Sequence, residues 1–281
     1  MGSTFRPAFP WLLYAYPWMP YPRRVIIYLR EKCIPTSLVT IVRVRDPEMG
    51  NDVVNSELYP PRPSGSLPVL AIPNNDGEGR GSTQSYTYIR QSMAIISYLE
   101  EICNSNQLGF SAPHGSLFGE DALARARVVE LTTLAEELTA SWNPVRTFGT
   151  KAGTILIPEA SKEMLRWIRR TLHAIETMFT EDKRDMAKLR RDIYGHANIG
   201  DILLYQFLDF TKVEYGVDMT NGSGEMVKDV YGRTVKEDYP KLREFYTAFS
   251  TRRSAERHAE LGEEAPEFYR NNMQAWANDV W

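Results

Sequence analysis

Cysteine is scarce in this chain: there are two, Cys33 and Cys103, among 281 residues, and they stand too far apart to form a metal or redox motif. Both read as small apolar residues on helices. The four histidines, His114, His173, His196 and His258, show no zinc-ligand spacing, so no metal site is expected. Neither sign of charge dominates, with 33 Lys and Arg against 36 Asp and Glu and a net charge of −3, which leaves no basic face for nucleic acid. No apolar run approaches the length that crosses a bilayer. Met1 to Pro10 lacks the basic-then-apolar pattern of a secretory leader, and Gly2 is followed by Arg6 where a myristoylation signal takes Ser or Thr. A cytoplasmic protein without membrane or nucleic-acid partners is the expectation. Gly77-x-Gly79-x-Gly81 lacks the third spacing and the following helix of a dinucleotide loop, and reads as a hairpin tip; no nucleophile elbow and no phosphate loop occur.

What is present is an ordinary globular composition, 43% hydrophobic and 25% charged, in a chain long enough for two domains. Trp11 to Tyr16 fits a buried first strand. Trp18-Met19-Pro20-Tyr21-Pro22-Arg23-Arg24-Val25 leads into a helix, since prolines are tolerated in a first turn whose N–H groups lack helical partners. Val25, Ile26 and Leu29 give its buried face, and it ends near Lys32. Thr40 to Val44 alternates as a second strand, and strand, helix, strand at this spacing requires a right-handed crossover and a parallel pair. Pro47 to Pro63 reads as a long polar loop holding one short helix.

The stretch from Gly65 to Ser92 organises the first half. Pro68 cannot donate to a sheet ladder and therefore opens a strand over Val69-Leu70-Ala71-Ile72. Asp76-Gly77 signals a tight turn, and Thr83, Tyr86 and Tyr88 have strand character, which together predict a hairpin with a Gly-rich tip. Gln91-Ser92 falls where the second strand ends and a helix begins, with Ile95, Leu99 and Ile102 on one face. A helix N-terminus with a hydroxyl suits a carboxylate. The order is βαβαββα. Asn104 to Gly119 reads as a linker, after which the pattern turns helical: Leu131, Leu134 and Leu138 share a face, as do Leu165, Ile168, Leu172, Ile175 and Phe179. Asn198 with Asp201 three residues on is a capping box with a folding role. The tail from Glu256 carries Phe268, Tyr269, Trp276 and Trp281.

The order of strand, Pro-rich helix start, Leu67-Pro68-Val69-Leu70 and then Gln91-Ser92-x-Ala94-Ile95-x-x-Tyr98-Leu99 resembles the glutathione transferases. The resemblance is strong over about Leu12 to Ile102 and looser beyond. It implies an α/β thioredoxin-like N-terminal domain, residues 1–103, a linker at 104–119, and an all-α helical-bundle domain at 120–281. In that family the proline is cis, the residue before it pairs its backbone with the cysteinyl part of glutathione, and the acidic-or-Gln/Ser pair holds the γ-glutamyl carboxylate and amine. Carried over, the glutathione-binding residues are Leu67, Pro68, Gln91 and Ser92, with glutathione as cosubstrate, no metal, and a homodimer.

Such transferases activate the glutathione sulfur with a hydrogen bond, because a thiol with a pKa of about 8.5 is mostly protonated at neutral pH and only the thiolate attacks. At the position that usually carries Ser or Cys this chain has Met19, which neither donates a hydrogen bond nor forms a mixed disulfide. Three alternatives stay open: a phenol from Tyr14 or Tyr16, both of which also read as strand core; the backbone N–H of Tyr21, since Pro20 and Pro22 have none; or a substrate that assists itself, or glutathione bound without strong activation. The family's second substrate lies between the domains, and its residues here are Trp18, Met19, Trp142, Arg146 and Phe148, an aromatic set with one cation suited to an apolar electrophile; core packing is the plain alternative for Trp142 and Phe148. The resulting expectation is a glutathione transferase-like enzyme, specialised for secondary or catabolic metabolism. The rivals are a glutathione-dependent isomerase or lyase, and a noncatalytic binding protein that keeps only the fold.

Overall fold

The computed structural model describes residues 10–45, 53–74, 85–149, 155–190 and 195–280. The leader reading at Met1 to Phe9, Pro47, the Asp76-Gly77 turn, Gly79, Gly81, Thr83, Trp281 and the Trp276 side chain lie outside them. The chain divides into two units, Met1–Ser116 with Arg257–Glu264, and Leu117–Glu256 with Ala265–Trp281. Among the described residues no helix is long and apolar enough to cross a membrane.

In the first unit, β1 (Trp11–Ala15), α1 (Pro20–Glu31), β2 (Val39–Arg43), β3 (Val69–Pro73), β4 (Tyr86–Arg90) and α2 (Ser92–Asn104) form a four-stranded mixed sheet in the order β2-β1-β3-β4 with two helices. β1 is parallel to β2 and antiparallel to β3, so the crossover through α1 that the strand spacing requires is present. All five residues of β1 are buried, as a central strand covered on both faces demands. Ile95, Leu99 and Ile102 form the buried side of α2. The short helix expected between Pro47 and Pro63 is absent from the described part of that segment, which instead turns, with Leu58 N–H bonded to Asn55 O at 2.9 Å. Three prolines in Tyr59-Pro60-Pro61-Arg62-Pro63 remove the donors a helix needs there.

A buried polar network ties the two helices. Glu100 of α2 accepts from Tyr28 Oη at 2.9 Å, from Lys32 Nζ at 3.0 Å and from Ser116 Oγ at 3.0 Å. The two cysteines part company: Cys103 is buried on α2, where burial pushes its thiol up to about 11, whereas Cys33 lies just beyond α1, exposed, with φ +53° and its Sγ 3.6 Å from His114 Nε2. The expectation of two helical apolar cysteines therefore holds for Cys103 only, because α1 stops at Glu31, Lys32 is its C-cap, and Cys33 beyond it has left the helix at positive φ.

Arg257–Glu264, although late in the sequence, packs on α1 and β2. Glu263, 1% exposed, takes Arg23 Nη1 and Arg30 Nη1 at 3.1 Å each and also pairs with Arg30 Nη2, two guanidiniums two turns apart on α1. Arg43 donates to Glu260 O at 3.0 Å, and Gly262 (φ +72°) passes so close that a Cβ there would lie 2.6 Å from the same guanidinium.

The second unit is built on α3 (Ala122–Gly149), α4 (Pro158–Glu181), α5 (Ile199–Glu214), α6 (Pro240–Ser250) and α7 (Glu267–Val280). Leu165, Ile168, Leu172, Ile175 and Phe179 are all buried, and each such side chain contributes about 1.5–3 kcal/mol on leaving water. The Asn198–Asp201 capping box is formed, with Asn198 N–H to Asp201 Oδ2 at 2.9 Å and Asp201 N–H to Asn198 Oδ1 at 3.1 Å, and Arg184 pairs with the fully buried Asp201. A Cβ on Gly200 would lie 2.8 Å from Leu131 Cγ, so α5 meets α3 at a distance only glycine permits. To these helices the structure adds an antiparallel hairpin, β5 (Met226–Lys228) and β6 (Thr234–Lys236), with Val227 opposite Val235.

Candidate active site

Strand register assembles the first unit's candidates. Tyr14 stands opposite Val69, and Val69 opposite Arg90. Because β3 runs against both neighbours, the end of β1, the start of β3 and the end of β4 share one edge of the sheet. Tyr16, Leu67-Pro68 and Gln91-Ser92 therefore emerge side by side. The Leu67–Pro68 peptide is cis. Gly65, at φ +111°, brings the loop ahead of it against Arg90, whose Nε would lie 3.6 Å from a Cβ there.

Both helices begin at this edge. Met19 is the N-cap of α1 in extended conformation and gives no side-chain cap; its carbonyl accepts from Arg23 N–H at 3.0 Å, and its own N–H bonds Tyr16 O at 3.0 Å. With Pro20 and Pro22 lacking donors, Tyr21 supplies the remaining first-turn N–H. The Arg24 guanidinium lies 4.7 Å over the Tyr21 ring. Gln91 is the N-cap of α2 at φ +71°, ψ 122°, exposed, with no side-chain cap; its carbonyl accepts from Ile95 N–H at 3.0 Å. A non-glycine residue held at positive φ is uncommon and directs attention to function.

Ser92 is not at the surface. It is 1% exposed, and its Oγ accepts from Arg24 Nε at 2.8 Å and Arg24 Nη2 at 2.6 Å. A hydroxyl that accepts twice still has its proton to give. Arg24 is the residue that reading the sequence missed; the available signal was an Arg23-Arg24 pair running directly into the apolar Val25-Ile26-Ile27, which obliges the helix to carry a cation inward.

Tyr14 is fully engaged elsewhere. It is 1% exposed and donates its hydroxyl to Pro60 O at 3.0 Å, and burial, with Tyr86 and Tyr88 nearby, pushes the phenol up to about 12. A phenol made less acidic and already donating is poorly placed to serve a thiolate. Tyr16, half-buried at the strand end, packs against the same cluster of Leu12, Tyr14 and Val42. Trp18 is half-buried in the turn before α1.

In the second unit, Trp142, Arg146 and Phe148 lie in the last turns of α3, around the internal Pro144. Trp142 is buried and meets Tyr215 edge-on at 5.0 Å, so core packing accounts for much of it. Burial pushes the Tyr215 phenol up, while Arg146 beside it and Trp142 pull the other way. Phe148, half-buried, accepts from Ile157 N–H at 2.8 Å through its carbonyl.

Residues 18–102 match the family model described as the glutathione S-transferase N-terminal domain. No curated protein sequence matches the chain. Among solved structures, it is similar to a glutathione S-transferase of Methylobacillus flagellatus with glutathione bound, at 21% identity over 87% of this chain and 96% of that one, TM-score 0.55. A glutathione transferase family member of Pseudomonas fluorescens Pf-5 with bound glutathione is 20% identical over 91% and 99%, TM-score 0.56. A maleylacetoacetate isomerase of Anaeromyxobacter dehalogenans, with dicarboxyethyl glutathione and citrate bound, is 20% identical over 92% and 94%, TM-score 0.55. Residues 18–102 thus belong to the glutathione S-transferase N-terminal domain family, and the chain as a whole has the glutathione transferase fold.

Proposed function

We propose that the first unit binds glutathione along the sheet edge where Leu67-Pro68 and Gln91-Ser92 emerge, and that the chain uses it to join a glutathionyl group to, or remove one from, a small apolar electrophile. The observation that carries this reading is the register Tyr14–Val69–Arg90, which sets the candidate backbone beside the α2 N-terminus. Gln91 and the first-turn N–H groups of α2 meet the γ-glutamyl carboxylate, and the buried Arg24–Ser92 pair adds a cation behind them. The Leu67 backbone pairs with the cysteinyl part. The sulfur then lies toward the start of α1, where Tyr16 and the Tyr21 N–H are the groups able to hydrogen-bond a thiolate, since Met19 has nothing to donate. Within the first unit, Trp18 and Met19 are the candidates for contact with the electrophile; Trp142, Arg146 and Phe148 are the second unit's own candidates. We further infer a homodimer in the cytoplasm and a division of labour between residues 1–103, a linker at 104–119 and residues 120–281.

A second reading, glutathione-dependent isomerisation or elimination, in which sulfur adds and leaves so that glutathione is regenerated each cycle, draws on the named isomerase among the similar structures. A third, a noncatalytic protein that keeps the fold to bind other ligands or partners, draws on Met19. Calorimetric titration with glutathione, with Gln91→Ala beside the wild type, tests the site. Binding that the variant weakens supports it; no binding at millimolar glutathione transfers the lead to the third reading. Product analysis with a panel of electrophiles then separates conjugation from isomerisation.

A further inference from the structure

The second unit holds a cavity of about 920 Å³ between α4 and the β5–β6 hairpin. Its size is that of a small-molecule site. The walls carry seven lysines and arginines against four carboxylates, in a chain whose net charge is −3. The floor is apolar, made of the cross-strand pair Val227 and Val235 together with Met178 of α4.

The wall is fixed rather than loose. Asp229 closes the hairpin turn by accepting from Tyr231 N–H at 2.9 Å, Arg233 N–H at 2.8 Å and Arg233 Nε at 2.7 Å. Arg166 of α4 donates to the Asp229 carbonyl at 2.8 Å, and Arg169 pairs with Glu237 just beyond β6 at 2.8 Å. Trp167 meets Tyr231 edge-on at 6.4 Å, and the Arg170 guanidinium lies 5.5 Å from the Trp167 ring centre and 5.4 Å from that of Tyr231. A preorganised wall loses little on binding.

Most of these guanidiniums already have carboxylates: Arg127 has Glu130, Arg166 has Glu163, and Arg233 has Asp229. The cavity therefore offers oriented donors at particular points more than a broad positive field. Two cations are held differently. Arg170 reaches Glu137 only at 3.4 Å and otherwise lies on aromatic rings, and Lys228 Nζ donates to the neutral Thr234 hydroxyl at 2.6 Å. The lining also includes His173, whose buried Nδ1 has no hydrogen-bond partner among the described residues. These groups, an exposed phenol ring and an apolar floor select for one chemistry, a flat apolar body carrying an anionic group.

We propose that this cavity is a binding site for an aromatic anion, whose ring packs on Tyr231 over Val227 and Val235 and whose charged group is held by Arg170 and Lys228. It uses no residue of the first unit and does not depend on glutathione. The test is calorimetric titration of the full chain with 1-naphthyl phosphate, beside 1-naphthol and inorganic phosphate, in wild type, Arg170→Gln and Tyr231→Ala. Tyr231 is 59% exposed and the Arg170 side chain 32%, so both variants should fold, which circular dichroism checks; glutathione affinity in each serves as an independent control. The expected result is that 1-naphthyl phosphate binds at least about tenfold more tightly than either fragment, and that each variant loses about tenfold or more. No binding up to millimolar ligand, unchanged affinity in both variants, or 1-naphthol binding as tightly as its phosphate would each overturn the proposal.

Discussion

Arg24 Nε and Nη2 lie 2.8 and 2.6 Å from Ser92 Oγ, so a single buried hydroxyl joins the second turn of α1 to the first residue of α2. The two helices that start at the candidate site are held at their N-termini by this contact. Ser92→Ala takes the acceptor away from two N–H groups of a guanidinium that is 3% exposed. Hydrogen bonds to charged groups contribute roughly 1.5–3 kcal/mol, so the urea midpoint should fall by a matching amount with an unchanged m-value. Glutathione affinity should fall with it. A variant as stable as the wild type would mean that Arg24 is held by its other neighbours.

Gln91 allows stability and binding to be separated. At φ +71° its backbone is in a region that glycine enters freely and other residues enter at a cost of about 1–3 kcal/mol. Gln91→Gly is expected to raise the unfolding midpoint while weakening glutathione by roughly 1–3 kcal/mol, the effect of losing a hydrogen bond to a charged group. Gln91→Ala keeps the strain and loses only the binding. If glycine binds glutathione as well as glutamine does, the backbone alone makes the contact.

Much of this was legible in the sequence where a pattern is local. Pro68 ahead of an apolar run fixes the start of β3, Asn198 and Asp201 spell out their own capping box, and the five apolar positions of α4 from Leu165 to Phe179 repeat at helical period. What was not legible depends on contacts far apart in the chain. Glu263 reaches Arg23 across 240 positions, and nothing in Glu263-Glu264 distinguishes the buried carboxylate from an exposed one. The hairpin escaped because each strand has three residues, too few to show alternation, although Tyr231-Gly232 does mark its turn. At the site, the Met19 substitution could be seen but the fate of Tyr14 could not, since its partner is a carbonyl 46 positions away.

Tyr14 gives a pH-dependent expectation. Burial raises its phenol to about 12, above the ordinary value near 10, so the fold favours the neutral form. That contribution is fully present below the ordinary phenol pKa and is lost as pH rises through the raised one. Urea midpoints should therefore decline across this alkaline window in the wild type and decline less in Tyr14→Phe. The same variant loses the bond to Pro60, about 1 kcal/mol at neutral pH. The pH profile of glutathione turnover should be unmoved by Tyr14→Phe; a shift toward higher pH would return Tyr14 to the list of groups that activate the sulfur.

The contact between Glu263 and α1 makes the strongest stability prediction. Arg23 and Glu263 are each 1% exposed, and removing one member of a buried ion pair leaves the other charge desolvated, typically at about 3–5 kcal/mol. Glu263→Gln should thus unfold at markedly lower urea than the wild type. Replacing both partners with apolar groups is far milder, because no orphaned charge remains; Arg30, with a side chain 23% exposed, can turn toward water. A double-mutant cycle of Arg23→Met and Glu263→Met measures the coupling, which for groups in one network is typically about 0.5–3 kcal/mol. Since Arg23 lies within one turn of Met19 and Tyr21 at the start of α1, glutathione affinity across the same four proteins tells whether the pin holds the site as well as the fold. Zero coupling would mean that Arg257–Glu264 lies on the first unit without holding α1.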